Sequence, residues 1–115
     1  MSENKKKEFW NEMVEVIGKG CKGVLKKEEK SIYVGFYSKS GEKVVAVNKS
    51  KKFRLFFNNV GIDSMDEFVK VDGFRKVSKD ERKKNKYGST DYIYEGVSEV
   101  KIEEFIKKVV ELKNK

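Results

Sequence analysis

The chain has no histidine and no proline, and it has one cysteine in 115 residues. Without imidazole, Ser-His-Asp and Cys-His mechanisms are excluded, together with histidine-containing metal sites. A lone Cys21 can form neither an internal disulfide nor a thiolate zinc cage, and it fits a reducing, cytoplasmic setting. Nothing in the sequence activates it as a nucleophile. The carboxylates are scattered, and none forms the spaced pair beside a lysine that metal-dependent nucleases employ. The chain is therefore expected not to be an enzyme, and to use no cofactor and no metal. Long apolar runs are missing too: none approaches the roughly 20 residues that span a bilayer. The opening MSENKKKEFW has basic residues with no apolar core behind them, so neither a secretory signal nor a membrane partner is expected.

What is present is a folding composition. Hydrophobic residues make up 37% and aromatics 12%, alongside 40% charged residues. A chain of this length is expected to form one domain spanning residues 1–115. The net charge is +8 and unevenly placed. Residues 43–54, KVVAVNKSKKFR, carry five positive charges and no acid. Residues 73–87, GFRKVSKDERKKNKY, carry seven positives against two acids, whereas five lysines meet six acids from Gly88 onward. The excess sits in the middle of the chain, where it would attract an anionic partner. The alternative is a solvated, lysine-rich surface, because 24 lysines stand against three arginines.

Residues 3–17 read as a helix, with Phe9, Trp10, Met13, Val14 and Ile17 on one stripe and Gly18 as its stop. SIYVGFY alternates as a strand, with Ile32, Val34 and Phe36 on one face and Tyr33 and Tyr37 on the other. SKSGEK turns the chain into KVVAV, and KFRLFF follows as a third strand, placing Phe53, Leu55 and Phe57 opposite Arg54 and Phe56. In SMDEFVKV, Ser64 and Glu67 suit a capping box. FRKVS adds a brief extended piece, and TDYIYEGV reads as a fourth strand. Ser98 then caps a final helix whose core stripe is Ile102, Phe105, Ile106, Val109 and Leu112. The expected fold is α+β: an antiparallel sheet of about four strands with the first and last helices packed on one face.

GKGCKG, residues 18–23, has the letters of a phosphate-binding G-x-G-x-x-G. It follows a helix and leads toward a strand, the reverse of what a phosphate cradle needs, so it reads as a helix exit. Exposed aromatics on strands can stack nucleobases, and Tyr33, Tyr37 and Phe56 are the candidates. The sequence favours their packing under a helix or the chain's own loops, since the strand order of that recognition fold is missing. Asp91, between a basic run and a strand, is expected to accept backbone N–H groups in a turn.

The segment KNKYGSTDYIYEGVSEVKIEEFIKKVVELK resembles the C-terminal part of a small uncharacterised domain family, some members of which are labelled "predicted transport protein". Tyr87, Gly88, Ser89, Asp91, Tyr92, Ser98 and Glu99 stand where that pattern places them. Lys86 stands where a histidine is common, and Thr90 replaces a glycine. Upstream, SIYVGFYSKSGEKVVAVNKSKKFRLFFN resembles the family's strand–turn–strand–strand segment, so the similarity covers most of the chain. The family is often joined to, or encoded near, restriction-endonuclease-like domains. The resemblance therefore implies association with nucleic acid and supplies no catalytic residues.

Together these readings give a non-catalytic cytoplasmic module that binds nucleic acid, DNA or RNA, through its phosphates. The expected contacts are Lys49, Lys51, Lys52 and Arg54 from one stretch, with Arg75, Lys76, Arg82, Lys83, Lys84 and Lys86 from the other. With three arginines, guanine-specific reading is not expected. The rival reading is a protein-interaction module, such as a phage or mobile-element protein that docks on an acidic surface of a host nuclease or defence complex. A small-molecule pocket between sheet and helices is a third.

Overall fold

Val34, Phe36, Val45, Val47, Leu55, Phe57, Tyr92 and Tyr94 are all buried, and strand register brings them onto one face of a sheet. The computed structural model describes residues 3–48, 53–85 and 88–114. In chain order these form α1 (Glu3–Gly20), β1 (Lys26–Glu29), β2 (Tyr33–Tyr37), β3 (Lys43–Asn48) and β4 (Arg54–Asn58). A single 3-10 turn (Asp66–Phe68) follows, then β5 (Phe74–Lys76), α2 (Lys79–Asn85), β6 (Thr90–Tyr94) and α3 (Glu99–Lys113). The strands pair in the order β1-β2-β3-β4-β6-β5, antiparallel throughout.

The α+β class and the antiparallel sheet match the expectation, but the sheet has six strands among the described residues rather than about four. FRKVS supplies the real though brief β5. β1, KKEE, has no apolar alternation because it is an exposed edge strand with nothing to bury. Charged side chains on such an edge also discourage pairing with other chains.

Helices α1 and α3 cover the apolar face. Met13 and Ile17 of α1 and Ile102, Phe105, Ile106 and Val109 of α3 join the sheet residues in one core. Phe105 is its hub, with ring centroids 4.7 Å from Phe74, 4.8 Å from Tyr94 and 5.0 Å from Phe68. At the far end Phe9 meets Phe53 edge-on at 5.3 Å, and Trp10 Nε1 donates to the Asn48 carbonyl at 2.8 Å.

α1 runs two residues past Gly18. A Cβ on Gly20, the last residue of α1, would sit 2.6 Å from Ile106 Cγ2, so this glycine lets α3 approach. Ser98 caps α3 as expected, accepting from Lys101 N at 3.4 Å. The capping box expected at Ser64 and Glu67 does not form: Ser64 Oγ donates to the Gly61 carbonyl instead. One does form at Ser78 and Glu81, where Ser78 Oγ accepts from Glu81 N at 3.1 Å and Glu81 Oε1 accepts from Ser78 N at 3.4 Å. It opens α2, which has no apolar stripe to mark it in the sequence. No described helix is long and apolar enough to cross a membrane.

Candidate nucleic-acid interface

The other face of the sheet carries neither α1 nor α3. One cross-strand row on it runs Glu28, Gly35, Ala46, Phe56, Ile93, Arg75, from β1 to β5. The next row runs Tyr33, Asn48, Arg54. Tyr33 and Phe56 therefore lie on the face away from α1 and α3, half-buried beside the 88–90 segment; of the two packings expected for them, under a helix or against the chain's own loops, the first is not found. Ile32, expected to join the buried stripe of β2, precedes the strand and is 69% exposed.

Gly35 sets the surface of β2. A Cβ there would fall 2.7 Å from Tyr37 Cε1 and 3.1 Å from Tyr33 Cε2, so both rings fold inward over a residue without a side chain. Their hydroxyls meet at 3.1 Å. Lys43 Nζ lies 4.6 Å from the Tyr33 ring centroid, a cation–π contact. The Tyr37 hydroxyl, aided by Lys43, holds Tyr33 below the ordinary phenol value, and the same hydrogen bond pushes Tyr37 up to about 12.

Beside this pair lies a shallow groove of about 290 Å³ with Ala46 and Phe56 along its length. Tyr33, Ile32 and Asn48 also line it, together with Asn58, Gly88, Ser89 and Thr90. Among the described residues, Lys43 is the one cation that lines it, and no carboxylate does. Asn58 is 2% exposed and its Oδ1 accepts from Thr90 Oγ1 at 2.5 Å. Next to Thr90 in β6, Asp91 anchors the backbone. That residue is 6% exposed, and its Oδ2 accepts from Val60 N at 3.1 Å and Gly61 N at 3.0 Å. Its Oδ1 accepts from Arg82 Nη2 at 2.6 Å. The carboxylate thus ties the chain after β4 to α2 and β6, in the backbone-anchoring role expected of it.

Several of the ten expected phosphate contacts are already engaged. Arg82 holds Asp91, and Arg75 Nη1 donates to both Glu81 oxygens at 2.6 and 2.5 Å. Lys76 bridges Asp63 and Asp66, and Arg54 Nε lies 3.3 Å from Glu95 Oε1. The Arg75 guanidinium lowers the Glu81 pKa, Asp63 raises that of Lys76, and the Tyr92 hydroxyl lowers that of Asp66. Register puts Arg54 and Arg75 on the groove's face, whereas Lys76 alternates to the other side. Lys83 is exposed on α2, and Lys84 is described only as a residue of that helix. Lys49, Lys51, Lys52 and Lys86 lie outside the described residues, as does Tyr87.

Lys43, absent from the expected set, is the cation at the groove. Its position in KVVAV, first residue of a strand behind a turn, was a visible signal. Among the described residues no three Asp, Glu or Cys side chains converge to hold a metal. Cys21 is buried, and burial pushes its thiol up to about 12. No family model, curated protein or solved structure matches the chain.

Proposed function

We propose that the protein is a non-catalytic, cytoplasmic module that associates with nucleic acid by holding its phosphates at the open face of the sheet. The observation that carries this reading is the acid-free stretch 43–54, which forms β3 and enters β4 beside a groove where, among the described residues, the charged lining residue is Lys43. The resemblance noted in the sequence points the same way. Lys43 leads, with Lys49, Lys51, Lys52, Lys83, Lys84 and Lys86 joining it on grounds of sequence. The cations already paired with carboxylates, Arg54, Arg75, Lys76 and Arg82, are assigned a supporting role. A paired cation must give up its partner before it can neutralise a phosphate, so its net gain is small.

Phosphate-led binding releases counterions, so log affinity falls linearly with log salt, by about 0.7 to 0.9 per phosphate neutralised. Filter binding of labelled nucleic acid across a salt series tests this. Affinity that weakens steeply with salt supports the reading. Affinity indifferent to salt, or retention of an acidic protein with no nucleic-acid binding at low salt, overturns it in favour of a protein-docking role.

A further inference from the structure

We infer that the meeting point of the Tyr33 and Tyr37 hydroxyls, bracketed by Lys26, Lys30 and Lys43, is a seat for one phosphate group on the open face. This rests on the phosphate reading above and names the place where a phosphate is held. The backbone brings the two hydroxyls together: Gly35 leaves room for both rings to fold inward, and the oxygens meet at 3.1 Å. Each hydroxyl carries one proton, so the pair shares one in its mutual bond and keeps the other. That second O–H has no acceptor among the described residues, which leaves it to an external oxyanion.

Strand register supplies the cations. Lys26 of β1 and Lys43 of β3 both stand opposite Tyr37, one on each side. The Lys30 N–H donates to the Tyr33 carbonyl at 2.8 Å, at the other end of the pair. Lys43 Nζ lies 4.6 Å from the Tyr33 ring centroid and Lys30 Nζ 5.9 Å from that of Tyr37. Each ammonium is thus held against a ring and still has N–H bonds to give, since it has three. The rings act as supports, and the ligand meets only hydroxyl and ammonium groups. One carboxylate enters the cluster: Glu28 opposes Gly35 and lies 3.6 Å from Lys30 Nζ. Three cations against one carboxylate leave a positive field. It is felt at Tyr33, whose phenol is held below its ordinary value first by the Tyr37 hydroxyl, then by the charges of Lys43 and Lys30. The Lys30 and Glu28 side chains are 46% and 40% exposed, so an entering phosphate displaces Glu28 at little cost.

Inorganic phosphate titrated at constant ionic strength, with chloride as the control, tests this in the wild type, Tyr33→Phe, Lys30→Gln and Glu28→Gln. Tyr33→Phe keeps the ring and removes the hydroxyl, and thermal melts establish that each variant is folded. Phosphate is expected to shift the Gly35 amide resonance saturably. Tyr33→Phe is expected to weaken binding about tenfold and Lys30→Gln about threefold. Glu28→Gln is expected to tighten it about threefold, because the competing carboxylate is gone. Saturating phosphate should also raise the pH of the tyrosinate step that Tyr33→Phe removes, because a bound anion opposes a second negative charge beside it. A Gly35 amide that phosphate moves no more than chloride does, or variants that all bind phosphate as the wild type does, overturn the seat. Titration of the same variants with an oligothymidylate separates the sources of phosphate. Parallel losses there place a strand phosphate in the seat. An oligothymidylate that binds every variant equally, together with phosphate that does not bind, overturns the seat and leaves nucleic-acid association standing. Phosphate binding as expected, with no oligothymidylate binding at low salt, supports the seat for a free phosphate and overturns the nucleic-acid reading.

Discussion

Tyr33 and Tyr37 meet hydroxyl to hydroxyl at 3.1 Å, their rings folded over Gly35 between them. The pair exists because β2 has a glycine where its neighbours on the same face have rings. Gly35→Ala would place a methyl 2.7 Å from Tyr37 Cε1. The rings can swing outward, and alanine lowers the entropy of the unfolded chain, so stability is expected to change by less than about 1 kcal/mol. Oligonucleotide affinity is expected to fall several-fold because the displaced rings crowd the groove. Paired urea melts and binding titrations check this. A large stability loss with unchanged binding would contradict it.

Asp91 is expected to matter for folding and not for ligand contact. Asp91→Ala leaves the amides of Val60 and Gly61 and the Arg82 guanidinium without their acceptor. Stranding such groups costs about 2 to 4 kcal/mol, read as a lowered urea midpoint. Arg82→Gln should also destabilise, but should leave the salt slope of binding unchanged, because that guanidinium is already engaged. A reduced slope in Arg82→Gln would place Arg82 among the phosphate contacts instead.

The approach of α1 to α3 depends on Gly20. Alanine there would bring its Cβ within 2.6 Å of Ile106 Cγ2, an overpacking expected to cost about 1 to 3 kcal/mol. In the double variant with Ile106→Ala, the two losses are expected to sum to less than their separate values, which a double-mutant cycle of urea midpoints measures. Full additivity would mean that the two residues do not meet.

Alkaline conditions should erode stability. Burial pushes both Cys21 and Tyr92 up to about 12, Tyr92 with help from its bond to Asp66. The fold favours the neutral, protonated forms of both groups. Their contribution is therefore complete below the unfolded values, about 8.5 for a thiol and about 10 for a phenol, and is lost as pH rises toward 12. Urea midpoints should be flat from neutral pH to about 8 and fall by about pH 10.5. Cys21→Ala should delay the onset of that fall. Cys21 in the native protein should also react with a thiol reagent only at the rate of unfolding; rapid labelling of the folded chain would contradict its burial.

Much of the fold was legible in the sequence because it is written in apolar periodicity. The stripe from Met13 to Ile17, the alternation around Leu55 and Phe57, and the run from Ile102 to Val109 each bury the residues their spacing marks. β1 was not legible, because an exposed edge strand of KKEE buries no alternating set. α2 has no apolar stripe, and its signal was the Ser78–Glu81 capping pair within a lysine-rich run. The site was less legible than the fold. A count of positive charges marks stretches, but it does not tell which cations are matched to a nearby acid. Arg75 and Arg82 look alike in sequence, yet one grips Glu81 on α2 and the other the buried Asp91. Lys43 and the groove emerge only when β2, β3, β4 and the 88–90 segment are brought side by side.

The most direct check is a nitrogen–proton correlation spectrum recorded while an unlabelled oligothymidylate is added at low salt. The amides of Tyr33, Ala46, Phe56 and Thr90 are expected to shift together and saturably, while those of Val16 and Val110, on the helical side, stay in place. Shifts confined to the helices, or a spectrum that does not change, would contradict recognition on the open face of the sheet.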